Sequence, residues 1–364
     1  MIGESCVPVE SGTEVKKKKK IREKCWGNYT VGTEVLQLGN SVYGPSPNAG
    51  MTNEDSFLVH QEKEYSHNLA ITMGKWQEMT KEELETEYSP SRWSPRLDKD
   101  AVIEAHMKAI TEGTLNAQAF TQTLLNVPYG SNEGEKLDVY LPKKHVETFP
   151  LVLYIHGGYW QSLSKEVSGF AACPLVNQGI AFAAVGYDVA PKGQLEVMVE
   201  QVRHSVAFAV QQYTGISGVY LLGHSAGAHL AAMILSTDWA KFGVEPNIKG
   251  AFLVSGIYDL EPIIHTYVND LLHMSRAVAQ ENSPLWCVPK VNDKKACRVL
   301  IAIAQHDPPE FHRQSQEYCQ VLRTAGWKVS LLDLAGTDHF DIIEKLSQEN
   351  YLLTQVILNM ISSG

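Results

Sequence analysis

The chain has 364 residues, 44% of them hydrophobic and 20% charged, with a formal net charge of −10. That balance excludes whole-chain disorder, and the acidity argues against a general nucleic-acid binder, which needs an excess of Lys and Arg to neutralise phosphates. No run of about 18 apolar residues is present to cross a bilayer, and the first twenty residues lack the apolar stretch of a secretory signal, so neither a nucleic-acid nor a membrane partner is expected, and the expected setting is cytoplasmic, with the nucleus as a further one.

Residues 1–70 carry Gly, Ser, Asn and Pro clusters, the run Lys16–Lys20 and no sustained hydrophobic period. They read as a disordered extension, with residues 71–364 forming one catalytic domain. The lysine run is expected to be a solvated tail, and a nuclear address is the alternative. Cys6, Cys25, Cys173, Cys287, Cys297 and Cys319 show no C-x-x-C pair and no metal-ligand spacing, so free thiols are expected in a reducing compartment, and no metal or cofactor is called for.

From Trp76 onward the pattern becomes regular. Thr80-Lys81-Glu82-Glu83 fits a capping box opening a short helix that ends near Tyr88 and Ser89-Pro90. A second helix is expected over Lys99 to Thr111. Leu124 to Tyr129 and Lys136 to Leu141 flank a Gly-Ser-Asn-Glu-Gly turn and predict an antiparallel hairpin. Short apolar runs then follow at Leu151–Ile155, Ile180–Val185, Val219–Leu222, Gly250–Val254, Arg298–Ala304 and Lys328–Leu334. Segments with helical spacing lie between them, at Leu195 to Gln212 and Ala226 to Ser236. Continuous apolar strands alternating with helices predict a mostly parallel, doubly wound α/β sheet covered on both faces, with an antiparallel hairpin at its start.

Gly223-His224-Ser225-Ala226-Gly227 stands between a predicted strand and a predicted helix, the context of a nucleophile elbow. Its glycines allow a sharp turn, and the serine sits at a helix N-terminus. A serine hydroxyl needs a base, and the base needs an orienting acid. The order Ser, acid, His is met by Ser225, by Asp307 after the strand Arg298–Ala304, and by His339 after Lys328–Leu334. Asp259 is an alternative acid, Asp338 reads as a loop cap and His306 as structural. Between Tyr267 and Leu285 there is room for a helical lid excursion. His156-Gly157-Gly158-Tyr159-Trp160 follows the strand Leu151–Ile155, where backbone amides of Gly157 and Gly158 can meet a developing oxyanion with Ala226 as the second arm. His156 is expected to hold that loop and not to act as a base.

His-Gly-Gly-x-Trp at 156–160, Gly-His-Ser-Ala-Gly-Ala-His-Leu at 223–230, Tyr-Ser-Pro-Ser-Arg-Trp at 88–93 and Asp-Pro-Pro-Glu-Phe at 307–311 together resemble kynurenine formamidases (arylformamidases), α/β-hydrolases related to hormone-sensitive-lipase-like esterases. The resemblance runs from about Lys75 to the C-terminus. It implies hydrolysis of a small-molecule substrate, N-formyl-L-kynurenine, to formate and L-kynurenine in tryptophan breakdown, with Ser225, Asp307 and His339 as triad and the His156–Trp160 motif as oxyanion loop. Tyr159 and Trp160 are expected to flank the acyl group or the aromatic ring, with packing as the alternative for Trp160. Arg92 becomes a candidate for the substrate carboxylate, and a homodimer is the family-level expectation. A carboxylesterase acting on short-chain aryl esters is the enzymatic alternative, and an inactive hydrolase-like binding protein is the alternative from another class.

Overall fold

The computed structural model describes residues 75–143, 147–289 and 297–364. The expected extension over residues 1–70, with Lys16–Lys20, Cys6 and Cys25, lies outside the described residues.

The first helix, α1 (Lys81–Glu87), begins as its capping box dictates: Thr80 Oγ1 accepts from the Glu83 amide and Glu83 Oε2 from the Thr80 amide. Then come α2 (Lys99–Phe120), β1 (Gln122–Pro128), β2 (Lys136–Leu141), β3 (Phe149–Ile155), α3 (Ala172–Asn177), β4 (Ala181–Val185), α4 (Leu195–Gln212), β5 (Ile216–His224) and α5 (Ala226–Leu235). The second half holds β6 (Ile248–Val254), α6 (Asn269–Leu272), α7 (Arg276–Glu281), β7 (Arg298–Ala304), α8 (Pro309–Thr324), β8 (Lys328–Leu334), α9 (Asp341–Glu344) and α10 (Leu352–Ser362). The expected lid excursion is present as the short helices between β6 and β7.

Eight strands form one sheet in the order β1-β2-β4-β3-β5-β6-β7-β8. β1, β2 and β4 pair antiparallel, and every pairing from β4 through β3 to β8 is parallel. The central parallel strands β3, β4, β5, β6 and β7 carry continuous apolar, buried runs because both faces are covered. Leu153, Leu221 and Leu253 face α4, α5 and α8 on one side, whereas Val152, Leu222 and Phe252 face α2, α3 and α10 on the other.

The predicted elements agree with these bounds to within a few residues except at α2, which runs nine residues past its expected end at Thr111. Gly113 is no breaker there: it lets the helix lie against Phe170, whose Cβ would come within 2.7 Å of any Cβ added at that position. Buried Thr114 fastens the same crossing, its Oγ1 accepting from the Gly169 amide at 2.9 Å.

Parallel winding sends every crossover back to the same end of the sheet, so the segments after β3, β5, β6, β7 and β8 gather at its C-terminal edge. The predicted chemistry of the chain lies there.

Candidate active site

Ser225 closes β5 and opens α5 with φ 55° and ψ −121°, a conformation that costs a non-glycine residue on the order of 1–3 kcal/mol. Its surroundings hold it there. The Ser225 amide donates to the Val254 carbonyl at 2.9 Å, extending the β5–β6 ladder into the turn. A Cβ at Gly223 would collide with the Gly227 carbonyl, and one at Gly227 with the carbonyls of Ile155 and His156, so both glycines of the motif are required by close backbone approach.

Asp307 and His339 meet at Oδ1 and Nδ1, 2.6 Å apart, in a charge-assisted hydrogen bond. The other carboxylate oxygen accepts from Ser255 Oγ at 2.5 Å and from the Ala304 amide at 2.9 Å, so the buried acid is fully satisfied. The loops carrying acid and base are also joined directly, by the His306 amide on the Thr337 carbonyl and the Gly336 amide on Gln305 Oε1. His224, next to the serine, lies 4.7 Å from the His339 ring and donates through Nε2 to the His339 carbonyl at 2.8 Å. Burial holds its imidazole well below the ordinary histidine range, with the neighbouring His339 and His106 acting in the same direction, so it stays a neutral donor.

The alternative acid, Asp259, is occupied elsewhere: its Oδ1 accepts from the Glu261 amide, and burial raises its carboxyl. Asp338 is the loop cap it was expected to be, accepting from the amides of Phe340 and Asp341.

After β3 the chain enters a strained loop. Gly158, Tyr159 and Trp160 have φ of 91°, 51° and 60° in succession. Gly157 lies against the elbow, since a Cβ there would stand 2.8 Å from the His224 carbonyl and 3.2 Å from Ser225 Cβ. Among the described residues the amides of Gly157, Gly158 and Ala226, the expected oxyanion donors, make no backbone hydrogen bond outside the regular helices and strands. His156 holds the loop in the expected way: it stacks on Tyr187 at 4.3 Å, its Nδ1 donates to the Gly157 carbonyl, and burial lowers its imidazole to about 4.

The candidate substrate contacts take different places in the fold. Trp160 is fully buried in the core, and its Nε1 donates to His229 Nδ1 at 3.1 Å, in keeping with the packing alternative. Arg92 is exposed and donates to Thr86 Oγ1. Tyr159, partly buried, donates its hydroxyl to the Tyr88 carbonyl at 2.8 Å. Sequence reasoning missed Ser255, which carries no motif, and quoted His224 within its motif without giving it a task. Among the described residues no cluster of His, Cys, Asp and Glu could hold a metal ion, and no helix is long and apolar enough to cross a membrane.

The BD-FAE family model matches residues 137–317. An esterase from Pyrobaculum calidifontis superposes with a TM-score of 0.57 at 20% identity, covering 74% of this chain and 94% of its own, which makes the fold that of the α/β-hydrolase esterases. A kynurenine formamidase of Danio rerio is 58% identical over 293 residues, 80% of this chain and 100% of its own length. One of Salmo salar is 57% identical over 294 residues, with the same coverage of each. With that identity over the whole length of its relatives, on a hydrolase fold that brings the His339–Asp307 pair against His224 of the Ser225 turn, the chain belongs to the kynurenine formamidase family.

Proposed function

We propose that this protein hydrolyses N-formyl-L-kynurenine to formate and L-kynurenine through Ser225, His339 and Asp307. The observation that carries the reading is the 58% identity to a kynurenine formamidase across that protein's full length. The site geometry supports it, because a formamide requires nothing beyond an activated hydroxyl, a proton carrier and an oxyanion site.

Asp307 accepts the Nδ1 proton of His339 and so leaves Nε2 as the basic nitrogen. His339 takes the Ser225 proton as Oγ attacks the formyl carbon, and the carbonyl oxygen becomes an oxyanion facing the amides of the Gly157–Gly158 loop and of Ala226. Collapse of that intermediate breaks the bond between carbon and the anilinic nitrogen. His339 delivers the proton to the departing nitrogen, whose lone pair is shared with the ring and makes it a better leaving group than an alkylamine. Water then attacks the formyl-serine by the same route and releases formate.

Purified protein is expected to release formate and kynurenine from N-formylkynurenine, and Ser225→Ala to abolish the release while the fold persists. Wild-type protein that is folded but inert toward this substrate overturns the reading. Comparing kcat/KM for the formamide with that for aryl acetates separates it from the esterase alternative, since esters are intrinsically easier substrates for the same triad.

A further inference from the structure

The Tyr-Ser-Pro-Ser-Arg-Trp segment at 88–93 takes no part in that chemistry, yet residues 88–96 reach the oxyanion loop, the loop before the base, the helix that follows the acid and the excursion between β6 and β7. Tyr88 is fully buried; its hydroxyl donates to Glu310 Oε2 at 2.9 Å and accepts from Gln314 Nε2 at 2.7 Å, both on α8, the helix that starts two residues after Asp307. Phe311 on that helix lies 6.2 Å from the Tyr88 ring and stands edge-on to His339 at 5.2 Å. The Tyr88 carbonyl receives the Tyr159 hydroxyl from the oxyanion loop. Ser89 Oγ pairs with Tyr267 Oη, 3.2 Å away, in the excursion between β6 and β7.

At the other end of the segment, Arg96 grips both oxygens of Asp338, through Nε at 2.7 Å and Nη2 at 3.1 Å, and Ser94 Oγ adds a bond of 2.5 Å. Asp338 is buried and immediately precedes His339. Between these anchors the segment is stiffened by Pro90 and Pro95, by backbone turn bonds at Arg92 and Trp93, and by Trp93 Nε1 on the Thr86 carbonyl at 3.0 Å.

We propose that residues 88–96 are a positioning strap that fixes the acid, base, oxyanion and excursion loops relative to one another, with Arg96 on Asp338 as the tie that registers His339. The proposal rests on the triad assigned above. A misplacement of about 1 Å costs roughly a hundredfold in a reaction that depends on alignment, so a strap remote from the substrate still governs turnover.

The test measures kcat, KM and the second-order rate at which a fluorophosphonate labels Ser225. Arg96→Met is expected to lower kcat and the labelling rate by roughly tenfold or more while KM changes by less than about twofold. Arg96→Lys, which keeps the charge and one donor, recovers much of the loss. Asp338→Asn falls in the same direction, and the double variant loses less than the two single losses combined, because both weaken the same tie. Wild-type labelling by Arg96→Met, an equal loss in Arg96→Lys, or additive losses in the double variant would overturn the strap. If Arg96→Met does not fold, Ser94→Ala is read in the same way, with a smaller loss confined to kcat supporting the strap and an unchanged rate opposing it. Labelling reports on Ser225 without reference to any formamide. A wild-type protein that labels but releases no formate therefore rejects the substrate assignment and leaves the strap to be decided by the labelling rates.

Discussion

The acid of the triad has its two oxygens committed to different tasks. One holds the His339 Nδ1 proton, and the other takes the Ser255 hydroxyl and the Ala304 amide. Asp307→Asn would preserve shape but break this division. Its amide oxygen is claimed by the Ala304 amide, so the NH2 group faces His339 Nδ1 and forces the tautomer with hydrogen on Nε2, which cannot accept from Ser225. The expected loss in kcat is about 10⁴-fold, with a thermal midpoint close to wild type; a loss below about tenfold in steady-state assays would show that Asp307 is not the orienting acid. The same scale explains the role of His224. Its neutral ring donates to the main chain of His339, 115 residues away in sequence, so the residue preceding the nucleophile also holds the base.

At the scale of elements, α2 shows how a glycine's meaning depends on what lies beside it. Gly113→Ala removes a helix-interior glycine, which alone would stabilise an exposed helix by up to about 1 kcal/mol. Here the new methyl would meet Phe170 Cβ at 2.7 Å and its Cα at 3.3 Å, atoms that cannot swing aside. Overpacking of this kind costs about 1–3 kcal/mol, so the variant is expected to be destabilised overall; a higher urea midpoint would refute that balance. The sequence carries no trace of this contact because it is made with a loop 57 residues away. Local signals were sufficient elsewhere. The capping box at Thr80, the apolar strands and the strand-turn-helix context of Ser225 depend on neighbours in the chain, and they were read correctly from it. The positions of Asp307 and His339 followed from topology, since parallel winding brings the loops after successive strands to one edge. What stayed hidden depends on long-range pairing: Arg96 with Asp338, Tyr88 with Glu310, and Trp160 with His229, where an aromatic side chain in an active-site motif turns inward to a buried partner.

For the whole molecule, buried histidines tie stability to mild acid. Burial lowers His156 and His229 to about 4, against 6.5 for the free side chain, and His224 lies well below the ordinary range for the same reason. At His229 the geometry shows why a proton is resisted. Nε2 donates to the Asn282 carbonyl at 2.6 Å and Nδ1 accepts from Trp160, so a second proton would set two donors against each other. Below pH 6.5 the unfolded chain binds these protons and the folded chain does not, so stability must fall as pH drops from about 6.5 to about 4, by up to about 1.4 kcal/mol per pH unit for each such histidine. Asp259 and Glu87, raised by burial, act in the opposite sense at the acid end of that window. The contribution of one histidine is therefore best isolated as a difference. Urea unfolding free energies measured between pH 7 and pH 4.5 should decline for both wild type and His229→Gln, with the variant's slope near pH 5 shallower by about 1.4 kcal/mol per pH unit, the value for one proton. Parallel slopes would mean that His229 is protonated alike in the folded and unfolded chains, and that the Trp160–His229–Asn282 chain does not hold the imidazole neutral.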